Sequence, residues 1–89
     1  MRKNLANRSK HGVSFEEAET AFADENALLM ADPNHSEDED RFVLLGFSSA
    51  LRFVVVNHCY RVGDAVIRII SARKADKRER EQYVKRWIR

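Results

Sequence analysis

Three apolar runs stand close together in the second half of the chain: "RFVLLGFS" at 41–48, "LRFVVVNHCY" at 51–60 and "AVIRIISAR" at 65–73. Each is rich in β-branched or aromatic residues, and the connections between them are hairpin-length, "SA" near 49–50 and "VGD" at 62–64. Strands joined so tightly must run antiparallel, because a parallel return needs a crossover of about a dozen residues. An earlier short run, "ALLMAD" at 27–32, stops at Pro33 and a charged loop, "NHSEDED". The expectation is an antiparallel meander of four strands.

The flanking segments read as helices. In "RSKHGVSFEEA" two helices meet at a corner: Gly12 suits the left-handed residue that ends the first, and Ser14 with Glu17 has the S-x-x-E spacing of a capping box. The second helix places Phe15, Ala18 and Phe22 on one face, so it packs against something. The first, over residues 2–10, has only Leu5 and Ala6 to bury and is marginal alone. Asp76 and Glu79 repeat the cap spacing ahead of a closing helix at 77–88, which gathers Tyr83, Val84, Trp87 and Ile88 on one stripe. The order is ααββββα, an α+β chain whose two N-terminal helices cover one sheet face and leave the other partly open.

Strand alternation sorts the side chains. In the third strand Arg52, Val54, Val56, His58 and Tyr60 share one side, and Phe53, Val55, Asn57 and Cys59 the other. In the fourth, plain alternation sets Val66, Arg68, Ile70 and Ala72 opposite Ile67, Ile69, Ser71 and Arg73. A sheet covered on one side and studded with arginines on the other is a platform for a single nucleic-acid strand.

Size and charge bound the reading. The 89 residues make a single domain, 1–89, near the lower limit for one unstapled core, and at 44% apolar and 34% charged the chain is globular rather than disordered. The lone Cys59 excludes an intrachain disulfide and suits a reducing compartment. No apolar run reaches the roughly 18 residues of a membrane span, and the start "MRKNLANRSK" has no signal-peptide core, so a soluble, cytoplasmic protein is expected. The net charge of +2 conceals strong polarisation: residues 1–13 carry +4, 14–40 carry −10, 41–64 carry +2 and 65–89 carry +6. Five of the eight residues from Arg73 to Arg80 are basic. Such a region attracts phosphate; the plainer alternative is that the acidic and basic blocks neutralise one another across the fold.

"KHGVSFEEA", "HSEDEDRFVLLGFS" and "IRIISARKADKRERxxY", in that order and spanning Asn7 to Tyr83, resemble the BrnT family of type II toxins. The resemblance implies a RelE-like ribonuclease fold, RNA cleavage that inhibits translation, and neutralisation by a BrnA-type ribbon-helix-helix antitoxin. DNA would be met only through that antitoxin, in a toxin–antitoxin heterotetramer or beside a homodimer of the toxin, with no cofactor and no membrane. Family members usually open with a strand of the F-x-W-D kind. This chain begins inside the first helix, which implies a sheet edge with less protection.

The resemblance also implies the chemistry. RelE-like enzymes cleave RNA without metal: the 2′-hydroxyl attacks the neighbouring phosphate and the 5′-oxygen leaves. That step needs a proton acceptor, a proton donor and cations to hold the growing phosphate charge. Arg73, in the matched "ISAR", is the expected transition-state stabiliser, since its planar fork pairs with phosphate oxygens; the competing reading is an ion pair with the acidic 35–40 loop. His35, in the matched "HS", is the expected acid–base group, and Lys10, in "KHG", a base or phosphate anchor unless it serves only as a helix C-terminal cation. Arg41, Arg52, Arg68, Arg78 and Arg80 are the expected RNA-binding cations, with a solvated helix face as the competing reading for the last two. Tyr83 is a candidate acid by family analogy, or a core residue beside Val84 and Trp87. His58 and Cys59 point to opposite faces of a strand, so no metal site is expected there, and His11 suits a helix C-terminus. A second reading is a non-catalytic interaction protein or corepressor that binds a DNA-binding antitoxin; a third is a homodimer built on the Tyr83/Trp87 stripe.

Overall fold

The computed structural model describes residues 2–32, 40–61 and 65–87. Helices α1 (Arg2–His11) and α2 (Phe15–Thr20) lead through a 3₁₀ turn (Ala21–Ala23) into strands β1 (Leu28–Ala31), β2 (Phe42–Phe47), β3 (Phe53–Arg61) and β4 (Val66–Lys74), and helix α3 (Lys77–Trp87) closes the chain. The strands form one sheet in the order β1-β2-β3-β4, each pair antiparallel. This is the expected α+β arrangement. The "VGD" connection, Ile88 and most of the "NHSEDED" loop lie outside the described residues, as does the Trp87 side chain.

The corner between α1 and α2 forms as its sequence dictates, with one difference. Gly12 is left-handed, φ +72°, and its N–H closes on the Arg8 carbonyl at 2.8 Å. Ser14 Oγ accepts from the Glu17 N–H at 3.1 Å. The returning half of that capping box is missing, because the Glu17 carboxylate turns to Arg52 and Ser48 instead. At α3 both halves form: Asp76 accepts from Glu79 N–H at 2.8 Å, and Glu79 accepts from Asp76 N–H at 2.9 Å.

Helix α1 does not dock through its apolar residues. Leu5 and Ala6 face solvent. The buried contact is Asn7, whose amide donates to the carbonyls of Val13 (2.8 Å) and Ala72 (2.7 Å) and whose oxygen accepts from the Ala72 N–H (3.0 Å). Its carboxamide thus takes the place of a neighbouring strand's peptide group at the β4 edge, which answers at this position the expected lack of protection. Asn4 adds bonds to Phe15 N–H and to Glu16.

The sheet separates two apolar clusters. Val13, Ala18 and Ala21 from the helical side pack on Leu44, Val54, Val56 and Ala72, with Phe22, Ala27 and Ile69 at the margin. On the other face Tyr83 of α3 and Ala75 pack on Leu45 and Val55, with Leu28, Val43 and Phe53 alongside. Val84 is 42% exposed, so the buried stripe of α3 is narrower than its periodicity suggests.

One irregularity redistributes the β4 side chains. Asn57 pairs with Ser71 but His58 pairs with Ile69, so Ile70 is an extra residue, a β-bulge. Beyond it the alternation is reversed. Ile69 joins the helix-covered side with Ala72, and Arg68, paired with Cys59, shares the opposite face with Arg73, which pairs with Val55. The separation of Arg68 from Arg73 expected from plain alternation is therefore corrected.

Candidate nucleic-acid interface

The face opposite α1 and α2 is covered by α3 over Leu45 and Val55 and is less apolar beyond them. There Asn57 of β3 and Ser71 of β4 lie side by side, both half-buried. Arg73 borders them at one end and Arg68 at the other. The corresponding β3 positions, Val55 and Cys59, are four residues apart, about 13 Å along the strand. Arg41 precedes Phe42, which contacts His58 on the helical side, so alternation brings Arg41 to the face of Arg68 and Arg73. The Asn57 amide donates to Asp32, just past β1 and across β2, at 3.5 Å. The result is a polar strip with arginines along it.

Arg73 is held firmly. Its Nη1 and Nη2 donate to the two Glu79 oxygens at 2.7 and 2.8 Å, with the side chains 43% and 23% exposed respectively. This hydrogen-bonded pair pushes the Glu79 carboxyl below its ordinary range, against the opposing effect of burial, and raises Arg73 further. The partner of Arg73 is thus the α3 cap. Arg73 Nε has no acceptor among the described residues and stays available to a second anion.

Arg52 lies on the other face, with Val54. Its Nε donates to Glu17 at 2.7 Å, and its Nη2 donates both to Glu17 and to the Gly12 carbonyl. Ser48 Oγ donates to the same carboxylate at 2.7 Å. Glu17 is held below its ordinary range, first by Arg52 and further by Ser48, while burial opposes. This arrangement ties α2 to the turn between β2 and β3, where Leu51 adopts φ +61°. Lys10 is exposed in the last turn of α1, and so also belongs to the helical side of the sheet.

Arg78 and Arg80 are exposed on α3, and Arg80 donates to the Ala75 carbonyl at 2.9 Å. Tyr83 is buried against Phe53, ring centroids 4.9 Å apart, and its hydroxyl donates to Asp24 at 2.7 Å. Burial pushes Asp24 up, but that bond and those from the Asn26 and Phe47 N–H groups outweigh it, and the net shift is downward. His58 is fully buried. Its Nδ1 donates to the Val56 carbonyl at 3.1 Å, its Nε2 accepts from Tyr60 at 3.2 Å, and burial depresses its pKa. It is a core histidine packed edge-on to Phe22. His35 lies outside the described residues. Among the described residues, no three His, Cys, Asp or Glu side chains cluster to hold a metal ion, and no helix is long and apolar enough to cross a membrane.

The structure thus brings Arg41, Arg68 and Arg73 to one face, with Arg78 and Arg80 on the helix beside it, and sets Lys10 and Arg52 apart. Sequence reasoning missed Asn57 and Ser71 as the polar floor and Glu79 as the arginine's partner. The D-x-x-E spacing marked Glu79 only as a cap, and nothing local showed that its second oxygen faces β4.

No curated protein matches the chain. The family described as "Ribonuclease toxin, BrnT, of type II toxin-antitoxin system" matches residues 1–79, nearly the whole length and every strand of the sheet. The chain belongs to the BrnT family of ribonuclease toxins.

Proposed function

We propose that the chain is a cytoplasmic, metal-independent RNA endonuclease that inhibits translation and is neutralised by a BrnA-type antitoxin. The observation that carries this reading is the shared face: the bulge at Ile70 brings Arg68 onto the face of Arg73, at the other end of the Asn57–Ser71 strip. Asn57 and Ser71 offer neutral donors and acceptors to a ribose or base edge. Arg68 and Arg41 draw the backbone in by charge. Arg73 stabilises the phosphate in the transition state, using Nε and whatever donors Glu79 yields when an anion arrives. The proton-transfer role is carried forward to His35 on the chemistry of its imidazole alone. Tyr83 as acid would have to leave Asp24, and Lys10 would have to act from the helical side.

A second reading, a non-catalytic partner of a DNA-binding antitoxin, draws support from the Arg73–Glu79 pair, which neutralises the arginine on which cleavage depends. Inducible expression separates the two. Growth arrest by the native chain, abolished by Arg73→Ala at equal protein level, supports the nuclease. A folded chain that causes no arrest and cleaves no RNA supports the second reading. Steep weakening of RNA binding as salt rises is also expected, through counterion release, and a flat response would count against the cationic face.

A further inference from the structure

A hollow of about 480 Å3 lies between the start of β3 and α3, lined by Phe53, Lys77, Arg80, Glu81, Val84 and Lys85. Its apolar surface is Phe53 and Val84; its rim carries three cations and one acid. We infer that this hollow receives an unstacked nucleobase of the RNA strand whose phosphate Arg73 grips. The inference rests on the nuclease reading and deepens it by locating a base-binding position.

Placement supports this first. The Phe53 carbonyl accepts from Ala75 N–H at 3.0 Å, and Arg73 pairs with Val55. Phe53 therefore lies two residues before Val55 on the same face, about 7 Å along the strand. A chain held at Arg73 and running toward α3 meets this hollow next.

The lining chemistry supports it second. Phe53 is braced by Phe47 and Tyr83, each with its ring centroid 4.9 Å away, so it is a rigid wall. A flat, conjugated base gains from an aromatic and aliphatic surface, and its phosphates gain from a cationic rim. Arg80 is fixed by its bond to the Ala75 carbonyl, which presents the rest of its guanidinium at the mouth. The hollow thus continues the positive path of Arg68 and Arg73 with an apolar seat. An acidic amphipathic segment of a partner protein is the competing occupant, and the test separates it.

The probe is a short single-stranded oligoribonucleotide, 2′-O-methylated so that it cannot be cleaved, with 2-aminopurine at one position. Native protein is expected to quench the fluorophore by stacking. Val84→Asp, an exposed position whose change spares the core, and the charge reversal Lys85→Glu are each expected to weaken binding about tenfold and to remove the quench. Phe53→Leu, which keeps an apolar wall, should reduce the quench with a smaller loss of affinity. Arg73→Ala should weaken binding yet keep the quench at saturating protein. Native affinity and quench in Val84→Asp would overturn the inference. So would retention of RNA binding in that variant together with loss of a co-expressed protein partner. Quenching without cleavage of the unmethylated oligonucleotide would sink the nuclease reading and leave the base seat standing, whereas cleavage indifferent to Val84→Asp would sink the seat alone.

Discussion

Glu17 and Glu79 occupy equivalent places, three residues after a capping side chain, and each holds an arginine of the sheet region by two hydrogen bonds. Their consequences differ. Glu17 gives up the cap's returning bond, also accepts from Ser48, and grips an Arg52 that donates to Gly12 as well, with the two side chains 12% and 34% exposed. Glu79 completes its cap and holds an arginine that is 43% exposed on the polar strip. The first pair ties three segments together. The second keeps a cation in position at a surface. An arginine–glutamate pair does not by itself distinguish support from site; the face it occupies and the donors left over do.

The sharpest way to break the comparison is to remove each arginine in turn. Arg73→Ala is expected to lower RNA cleavage by purified protein at least about 100-fold, the scale for loss of one transition-state donor, with only a small fall in the urea midpoint because the Arg73–Glu79 pair is partly exposed. Arg52→Ala is expected to do the reverse, costing about 2 kcal/mol of stability in urea unfolding, because Glu17 is then left largely buried without its main partner, while the folded fraction still cleaves. Equal loss of activity in both variants would erase the distinction. Lower on the scale is acid sensitivity. Glu17, Asp24 and Glu79 are all held below their ordinary values, so their contribution is complete above the unfolded carboxylate range and lost as pH falls through the folded values. His58 is also depressed. Its neutral form is the one the fold accepts, and stability should begin to decline as pH drops below the ordinary 6.5. Urea midpoints across pH should show both stages, and His58→Gln should remove the upper one. The smallest effect distinguishes the caps. Ser14→Ala and Asp76→Ala should each cost about 1 kcal/mol, but only Asp76→Ala should also reduce cleavage, by loosening the turn that holds Glu79 beside Arg73.

Much of this molecule is legible in local pattern. The hairpin spacings, Gly12 and the two cap motifs are short-range signals, and they give the element order because each acts within one turn of chain. What escapes is long-range or depends on a single extra residue. Asn7 looks like an ordinary helix residue, and only the fold brings it to Ala72, 65 positions away. The expected burial of Leu5 failed because α1 meets a strand edge with unpaired backbone groups rather than an apolar face, and an amide answers those groups where a leucine cannot. The site divides in the same way. Arg73 at a strand end is visible in sequence. Arg68 as its neighbour is not, because Ile69 and Ile70 are equally suited to either side of the sheet, and composition does not say which one the ladder passes over.

Ile70 also loosens the relation between how long β4 is and which way its side chains point. Excising that one codon would leave Ser71 opposite Asn57 and Ile69 opposite His58, with both guanidinium groups on their present side and only the kink removed. Losing the adjacent Ile69 codon gives the same sequence and the same outcome, because the remaining isoleucine faces His58 and Arg68 still faces Cys59. Tolerance to deletion along β4 is thus centred on the Ile69–Ile70 pair, and a scan of single-residue excisions would find it there.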